Sequence, residues 1–168
     1  MIEDVTLKGC MEFAVATEEL GARFYTRAAA AFQENEEVHQ IFTQLAKDEE
    51  AHRRQFAEFL KRTPPDEGVS SSPEKVGYLR AMSISEFFSN REGPFTDIKK
   101  VRDRDEALKT AFEFEKATLA FYKAVEDHLG KMEPLSRVIE AEKGHVDVLL
   151  KALLVEGSKF RSLQDRWP

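Results

Sequence analysis

The sequence predicts an all-α fold, a four-helix bundle with one long crossover between helices 2 and 3. Three observations carry this. Gly and Pro are scarce, 8 and 6 of 168 residues, among long runs rich in Ala, Leu, Glu, Lys and Phe, a composition that favours helix. Apolar residues recur at steps of three and four, which line one face of a helix. The first helical pair is also echoed by a second, at offsets of 97 and 93 residues.

Helix 1 is expected from about Val5 to Phe32, with the stripe Met11, Ala14, Glu18, Gly21, Tyr25, Ala28 and Phe32. The polar joint Gln33-Glu34-Asn35-Glu36 is too short for anything but an antiparallel neighbour. Helix 2 then runs to about Arg62, its stripe being Val38, Phe42, Leu45, Glu49, His52, Phe56 and Leu60. Pro64-Pro65 ends it, since proline removes a helical donor and constrains the residue before it. Residues 63–103 form the expected crossover. Asp66 to Ser72 reads as a Gly/Ser-rich loop, and Ser83-Ile84-Ser85-Glu86 has the spacing of a capping box before a short helix that Gly93-Pro94 breaks. A link this long makes sense if it travels the length of the bundle, leaving helices 2 and 3 parallel.

Helix 3 should begin near Asp103 or Asp105 and end near Gly130, with Leu108, Ala111, Glu115, Thr118, Tyr122, Val125 and Leu129 on its buried face. Helix 4 starts after Met132 and runs to Gly157. Pro134 is tolerated in its first turn, where amides have no helical acceptor. Its stripe is Leu135, Val138, Glu142, His145, Leu149 and Ala152. Residues 1–157 thus form one bundle domain. A tail over 158–168 carries Phe160, Leu163 and Trp167, and is expected to dock on the bundle or on a second subunit.

Composition removes several classes of function. The formal net charge of −6 favours neither nucleic acid nor an anionic membrane. No apolar run reaches the length of a membrane span and no signal peptide is visible, so the expected compartment is the cytoplasm. Cys10 is the single cysteine. It can form no internal disulfide, excludes a four-cysteine metal site within these residues, and is expected to pack in helix 1.

The stripes are interrupted by the wrong residue types. Glu49 and His52 stand three apart on an apolar face, and Glu142 and His145 repeat that spacing. Glu18 and Glu115 each sit alone on such a face, and each is followed after five residues by Phe-Tyr, Phe24-Tyr25 and Phe121-Tyr122. The chain is therefore two helical hairpins, each bringing one Glu and then one Glu-x-x-His. Buried charges need partners, and these stripes carry no Lys or Arg, so mutual salt bridges would leave the carboxylates badly compensated. A metal ion is a natural partner, and each Glu-x-x-His pair can ligate one ion or reach two. Four carboxylates cancel two divalent cations, and hard oxygen donors with one imidazole per ion suit iron or manganese. Without cations the crowded carboxylates should retain protons, which loading releases. Tyr25 and Tyr122, two turns beyond Glu18 and Glu115, could donate to ligating carboxylates or simply pack in the core. Phe24, Phe56 and Phe121 are candidates for walling the site from water. Glu19 and Glu50 point about 100° away from the ligand face, and His39 and His128 lack a stripe partner and read as surface residues.

This set resembles the rubrerythrin branch of the ferritin-like superfamily, through Glu18 with Phe24-Tyr25, Glu49 with His52, Glu115 with Phe121-Tyr122, and Glu142 with His145. The resemblance implies a ferritin-like bundle holding two Fe ions, with Mn or Zn as possible substitutes. It implies Glu18, Glu49, His52, Glu115, Glu142 and His145 as ligands, Glu49 and Glu142 bridging, and a reaction with peroxide or dioxygen in which Tyr25 and Tyr122 assist. Family members often form homodimers, some by exchanging helices. Rubrerythrins proper end in a rubredoxin domain with four cysteines. None is present here, so the expected electron donor is a separate protein such as a rubredoxin. Typical members also place an extra Glu one turn before the helix 3 ligand, where this chain has Phe112. That leaves six ligands and resembles a ferroxidase pattern. The readings to separate are a peroxide- or dioxygen-reducing oxidoreductase, a ferroxidase or iron-storage protein, and a di-metal hydroxylase of an organic substrate.

Overall fold

The computed structural model describes residues 7–63 and 103–154. Four helices occupy them: α1 (Leu7–Ala31), α2 (Glu36–Arg62), α3 (Arg104–Leu129) and α4 (Glu133–Leu154). The four expected helices are there, and their described ends fall within two residues of those the periodicity predicts. The crossover, the Ser83 capping box, the Val5 and Gly157 helix ends and the 158–168 tail lie outside the described residues.

Local chemistry fixes the described helix ends. The Asn35 side chain accepts the amide of Val38 at 3.2 Å and opens α2, and Asp103 accepts the amide of Glu106 at 2.9 Å to open α3. Each satisfies an amide that has no helical acceptor. Gly130 closes α3 with φ +88° while its own amide bonds the Glu126 carbonyl. That left-handed conformation favours glycine. Between α1 and α2, the His39 ring lies 2.8 Å from the Ala29 carbonyl. His39 is half-buried rather than the plain surface residue its isolation suggested. His128 is half-buried in the last turn of α3, where a positive charge suits the helix dipole.

The helices pair as two hairpins, α1 with α2 and α3 with α4. Contacts between hairpins set the directions. Phe13 meets Phe121 with ring centroids 4.7 Å apart, while Phe24, further along α1, lies 6.3 Å from Phe114, further back on α3. Hence α1 and α3 are antiparallel. Since α2 reverses α1, α2 and α3 run the same way. Arg104 marks their common end: it donates to the Ala152 carbonyl of α4 at 2.8 Å and lies 3.8 Å from Glu37 in the first turn of α2.

Every apolar stripe residue named above that falls within the described residues is buried, except Leu60 and Leu129, which are half-buried. Aromatic rings form two layers along the bundle axis. One holds Phe24, Tyr25, Phe42 and Phe114; the other holds Phe56, Phe121 and Tyr122. Cys10 is 1% exposed, and burial pushes its thiol up to about 11, as befits an unreactive packing residue. The ionisable stripe residues lie between the two aromatic layers.

Candidate metal centre

Six ionisable side chains converge from all four helices: Glu18 from α1, Glu49 and His52 from α2, Glu115 from α3, and Glu142 and His145 from α4. All are buried, none more than 6% exposed. They fall into two groups whose donor atoms lie within 4.8 Å of one another, Glu18-Glu49-His52-Glu142 and Glu49-Glu115-Glu142-His145. Glu49 and Glu142 belong to both. Two positions, each with its own Glu and His and sharing two carboxylates, could hold two cations.

Both imidazoles present Nδ1 to the interior. His52 Nδ1 lies 3.3 Å from Glu142, 3.4 Å from Glu18 and 3.6 Å from Glu49. His145 Nδ1 lies 3.2 Å from Glu115, 3.6 Å from Glu49 and 3.9 Å from Glu142. The rings stack with centroids 5.5 Å apart and planes 27° apart. Among the described residues, no Lys or Arg is buried.

The tyrosines are crossed. Tyr25 of α1 donates to Glu115 of α3, and Tyr122 of α3 donates to Glu18 of α1. Each outer carboxylate is thus held by a hydroxyl from the opposite hairpin. Burial, then the nearby carboxylates, drive both phenol pKa values well above the ordinary range, so both stay protonated donors.

The electrostatics of the six side chains are dominated by burial and mutual repulsion. Burial first, then the other carboxylates, raise Glu49 and Glu142 well above the usual carboxylate range. Burial works against the charge of His52, but the facing carboxylates of Glu142 and Glu18 outweigh it and lift its pKa to about 10. His145 is raised as well, against its burial, by Glu115 and Asp48. Glu115 moves oppositely: burial opposes its charge, yet His145 and the Tyr25 hydroxyl help bring it down to about 2. Among the described residues, six buried side-chain atoms have no hydrogen-bond partner, namely Glu18 Oε2, Asp48 Oδ2, Glu49 Oε1, His52 Nδ1 and both oxygens of Glu142. Such orphans are rare in folded proteins and costly. Five of the six belong to the two donor groups. This is the donor set two divalent cations would satisfy, so the residues fit a di-metal pair.

Two functional features escaped the sequence reading. Asp48 Oδ2 lies 3.6 Å from His145 Nε2, behind the ring, a place from which a carboxylate can orient an imidazole. The equivalent residue of the second Glu-x-x-His is Ala141, so the two halves differ. The only hint in sequence was adjacency to Glu49. The second is Phe114, whose ring covers Gly21: a Cβ built on Gly21 would sit 3.1 Å from that ring and 3.3 Å from Glu49 Cγ. Of the candidate walls, Phe56 and Phe121 are fully buried and Phe24 is 5% exposed. Glu50 turns outward to a two-pronged bond with Arg53, and Glu19 to Arg23. Phe112 is half-buried under the Lys116 ammonium, 5.2 Å from its ring centre, and the position supplies no carboxylate.

Among the described residues, no helix is long and apolar enough to cross a membrane. Compared with known proteins, the chain matches the Rubrerythrin family model over residues 10–153. No curated protein and no solved structure matches it. The family match spans all four helices and most of the chain, so the chain belongs to the rubrerythrin family.

Proposed function

We propose that this rubrerythrin-family chain holds two iron ions between its helices and reduces peroxide or dioxygen, drawing electrons from a separate donor protein such as a rubredoxin. The observation that carries the reading is the pair of buried donor groups sharing Glu49 and Glu142. Glu18 and His52 would hold one ion, Glu115 and His145 the other, and the shared carboxylates both. When bound, the iron pair supplies redox equivalents to the oxidant and recovers them from the donor. The protein's own residues do the rest. The aromatic layers above and below keep water out, which strengthens every charge interaction inside. Tyr25 and Tyr122 fix Glu115 and Glu18 by donating their hydroxyl protons to them. The single cysteine among these 168 residues is too few to build an iron–thiolate carrier within them.

The second reading is iron oxidation itself, with ferrous iron as the substrate. One observation favours it: position 112 is Phe, so the site has six ligands. A single experiment separates the readings. Protein loaded anaerobically with ferrous iron is mixed with peroxide or with aerated buffer, and ferric absorbance is followed. Faster oxidation by peroxide, with iron that stays bound and can be re-reduced, supports the oxidoreductase. Faster oxidation by dioxygen with continued turnover of excess ferrous iron supports the ferroxidase. Failure to bind iron at all sinks both. We also infer a homodimer, which gel filtration distinguishes from a hollow storage particle.

A further inference from the structure

We propose that the outer groove between α1 and α2 is the docking site for an acidic electron-carrier protein. The inference rests on the proposed function, because it locates the donor that reading requires. The groove has a volume of about 970 Å³ and is lined by Arg23, Arg27, Lys47, Arg53 and Arg54. The only carboxylates lining it are Glu19 and Glu50, and those are engaged by Arg23 and Arg53. Among the described residues, Arg27, Lys47 and Arg54 make no ion pair, and all three are exposed. A net positive groove on a chain of formal charge −6 is a local inversion of the field. Such inversions steer oppositely charged partners and select their orientation. Arginine is also enriched among the residues that anchor protein partners.

The groove lies behind the metal-site turn of both helices. Glu19 follows Glu18, Glu50 follows Glu49, and Arg53 follows His52. The floor includes Ala22, Ala29 and Ala46, short side chains that let a partner come close. A carrier seated here is separated from the ligands by roughly one helix thickness, about 10 Å. Electron transfer decays steeply with distance, so closeness is the relevant property. Of the segments of this chain outside the described residues, 1–6 carry two acidic side chains, Glu3 and Asp4, against five cations lining the groove. Residues 64–102 carry six acidic and six basic side chains, and residues 155–168 carry more basic than acidic ones. Each docking passes one electron, the carrier's iron going from ferrous to ferric. Two dockings match the reduction of peroxide, with two protons, to two waters.

The test uses reduced rubredoxin of acidic surface as the probe. Its binding to the metal-stripped full chain is measured by calorimetry at low and high salt. The triple variant R27E/K47E/R54E is compared with K109E/K123E/K131E, which makes the same change in net charge elsewhere. We expect binding that weakens with salt, a loss of about tenfold or more in the groove variant, and a much smaller loss in the control. The iron-loaded groove variant should accept electrons from dithionite at the wild-type rate but from rubredoxin about tenfold more slowly. Equal losses in the two variants, or none, overturn the proposal. So does a change in the mass of the chain alone in the groove variant, which would make the groove a self-interface. Binding is read without iron, so failure of the wild type to load iron or react with oxidant counts against the proposed function separately.

Discussion

Tyr25 donates its hydroxyl to Glu115, 90 positions away on an antiparallel helix. Spacing places Tyr25 two turns past Glu18 and invites a partner on its own helix. Antiparallel packing decides otherwise, because two turns past Glu18 on α1 is the level of Glu115 on α3. Tyr122 repeats the relation with Glu18. A buried hydrogen bond to a charged acceptor contributes about 1.5–3 kcal/mol. Tyr25→Phe should therefore destabilise the metal-stripped chain by about 2 kcal/mol in urea denaturation. Tyr122→Phe should behave alike, and a cost near zero for either would mean the hydroxyl is not held as described.

Gly21 is a glycine in mid-helix, where alanine would ordinarily add up to about 1 kcal/mol of stability. Here the gain should reverse. A Cβ would lie 3.1 and 3.2 Å from atoms of the Phe114 ring and 3.3 Å from Glu49 Cγ. The ring is 1% exposed, with Tyr25 at 6.0 Å and Phe24 at 6.3 Å, so it has little room to retreat. Overpacking costs about 1–3 kcal/mol. Gly21→Ala should lower the thermal midpoint by a few degrees, and adding Phe114→Leu should restore most of the loss. A stabilised Gly21→Ala variant would show that the ring yields.

Much of this was legible in the sequence, and the reason is periodicity. A Glu or His on an apolar stripe is visible because burial of the face follows from the stripe itself, so Glu18, Glu49, His52, Glu115, Glu142 and His145 could be placed together without coordinates. What periodicity cannot show is which helix answers which. The crossing of the tyrosines, the reach of Asp48 to His145 and the ring of Phe114 over Gly21 all depend on relative height between helices. Asp48 was masked further by its half-buried position beside a run of ordinary surface charges.

Asp48 leads to the third prediction. Its carboxylate stands behind His145, while His52 has Ala141 at the matching place in the other repeat. Removing a carboxylate that orients a ligating imidazole typically costs about 10–100-fold in metal affinity. Asp48→Ala should therefore weaken one of the two cation positions by that factor and leave the other nearly unchanged. A manganese titration read by electron paramagnetic resonance would show two steps in the variant. Equal weakening of both positions would contradict the asymmetry.

Sharing of Glu49 and Glu142 between the donor groups makes a stoichiometric prediction. Glu142→Gln should abolish tight binding of both ions, whereas Glu115→Gln should leave about one per chain, because it touches one group only. Elemental analysis after desalting decides it. If both variants keep the same number of ions, the bridging assignment is wrong.

The last prediction concerns pH, and its sign follows from the side chains. Burial and neighbouring carboxylates raise Glu49 and Glu142 well above 4.5. The folded chain then keeps protons that the unfolded chain releases, so both groups cost stability as pH rises above 4.5. Against its burial, His52 is lifted from 6.5 to about 10 by Glu142 and Glu18. Its contribution is complete below pH 6.5 and is lost as pH rises through 10. Glu115, brought down to about 2 by His145 despite burial, contributes above pH 4.5 and is lost only as pH falls toward 2. The metal-stripped protein should therefore weaken on the alkaline side, by about 1.4 kcal/mol per pH unit for each retained proton. Cations displace those protons and supply the missing positive charge. Loading should release protons, detectable with an indicator dye in weak buffer, and should flatten the alkaline loss. Stability of the stripped chain that rises from neutral to alkaline pH, or loading without proton release, would show that Glu49, Glu142 and His52 do not hold their protons in this way.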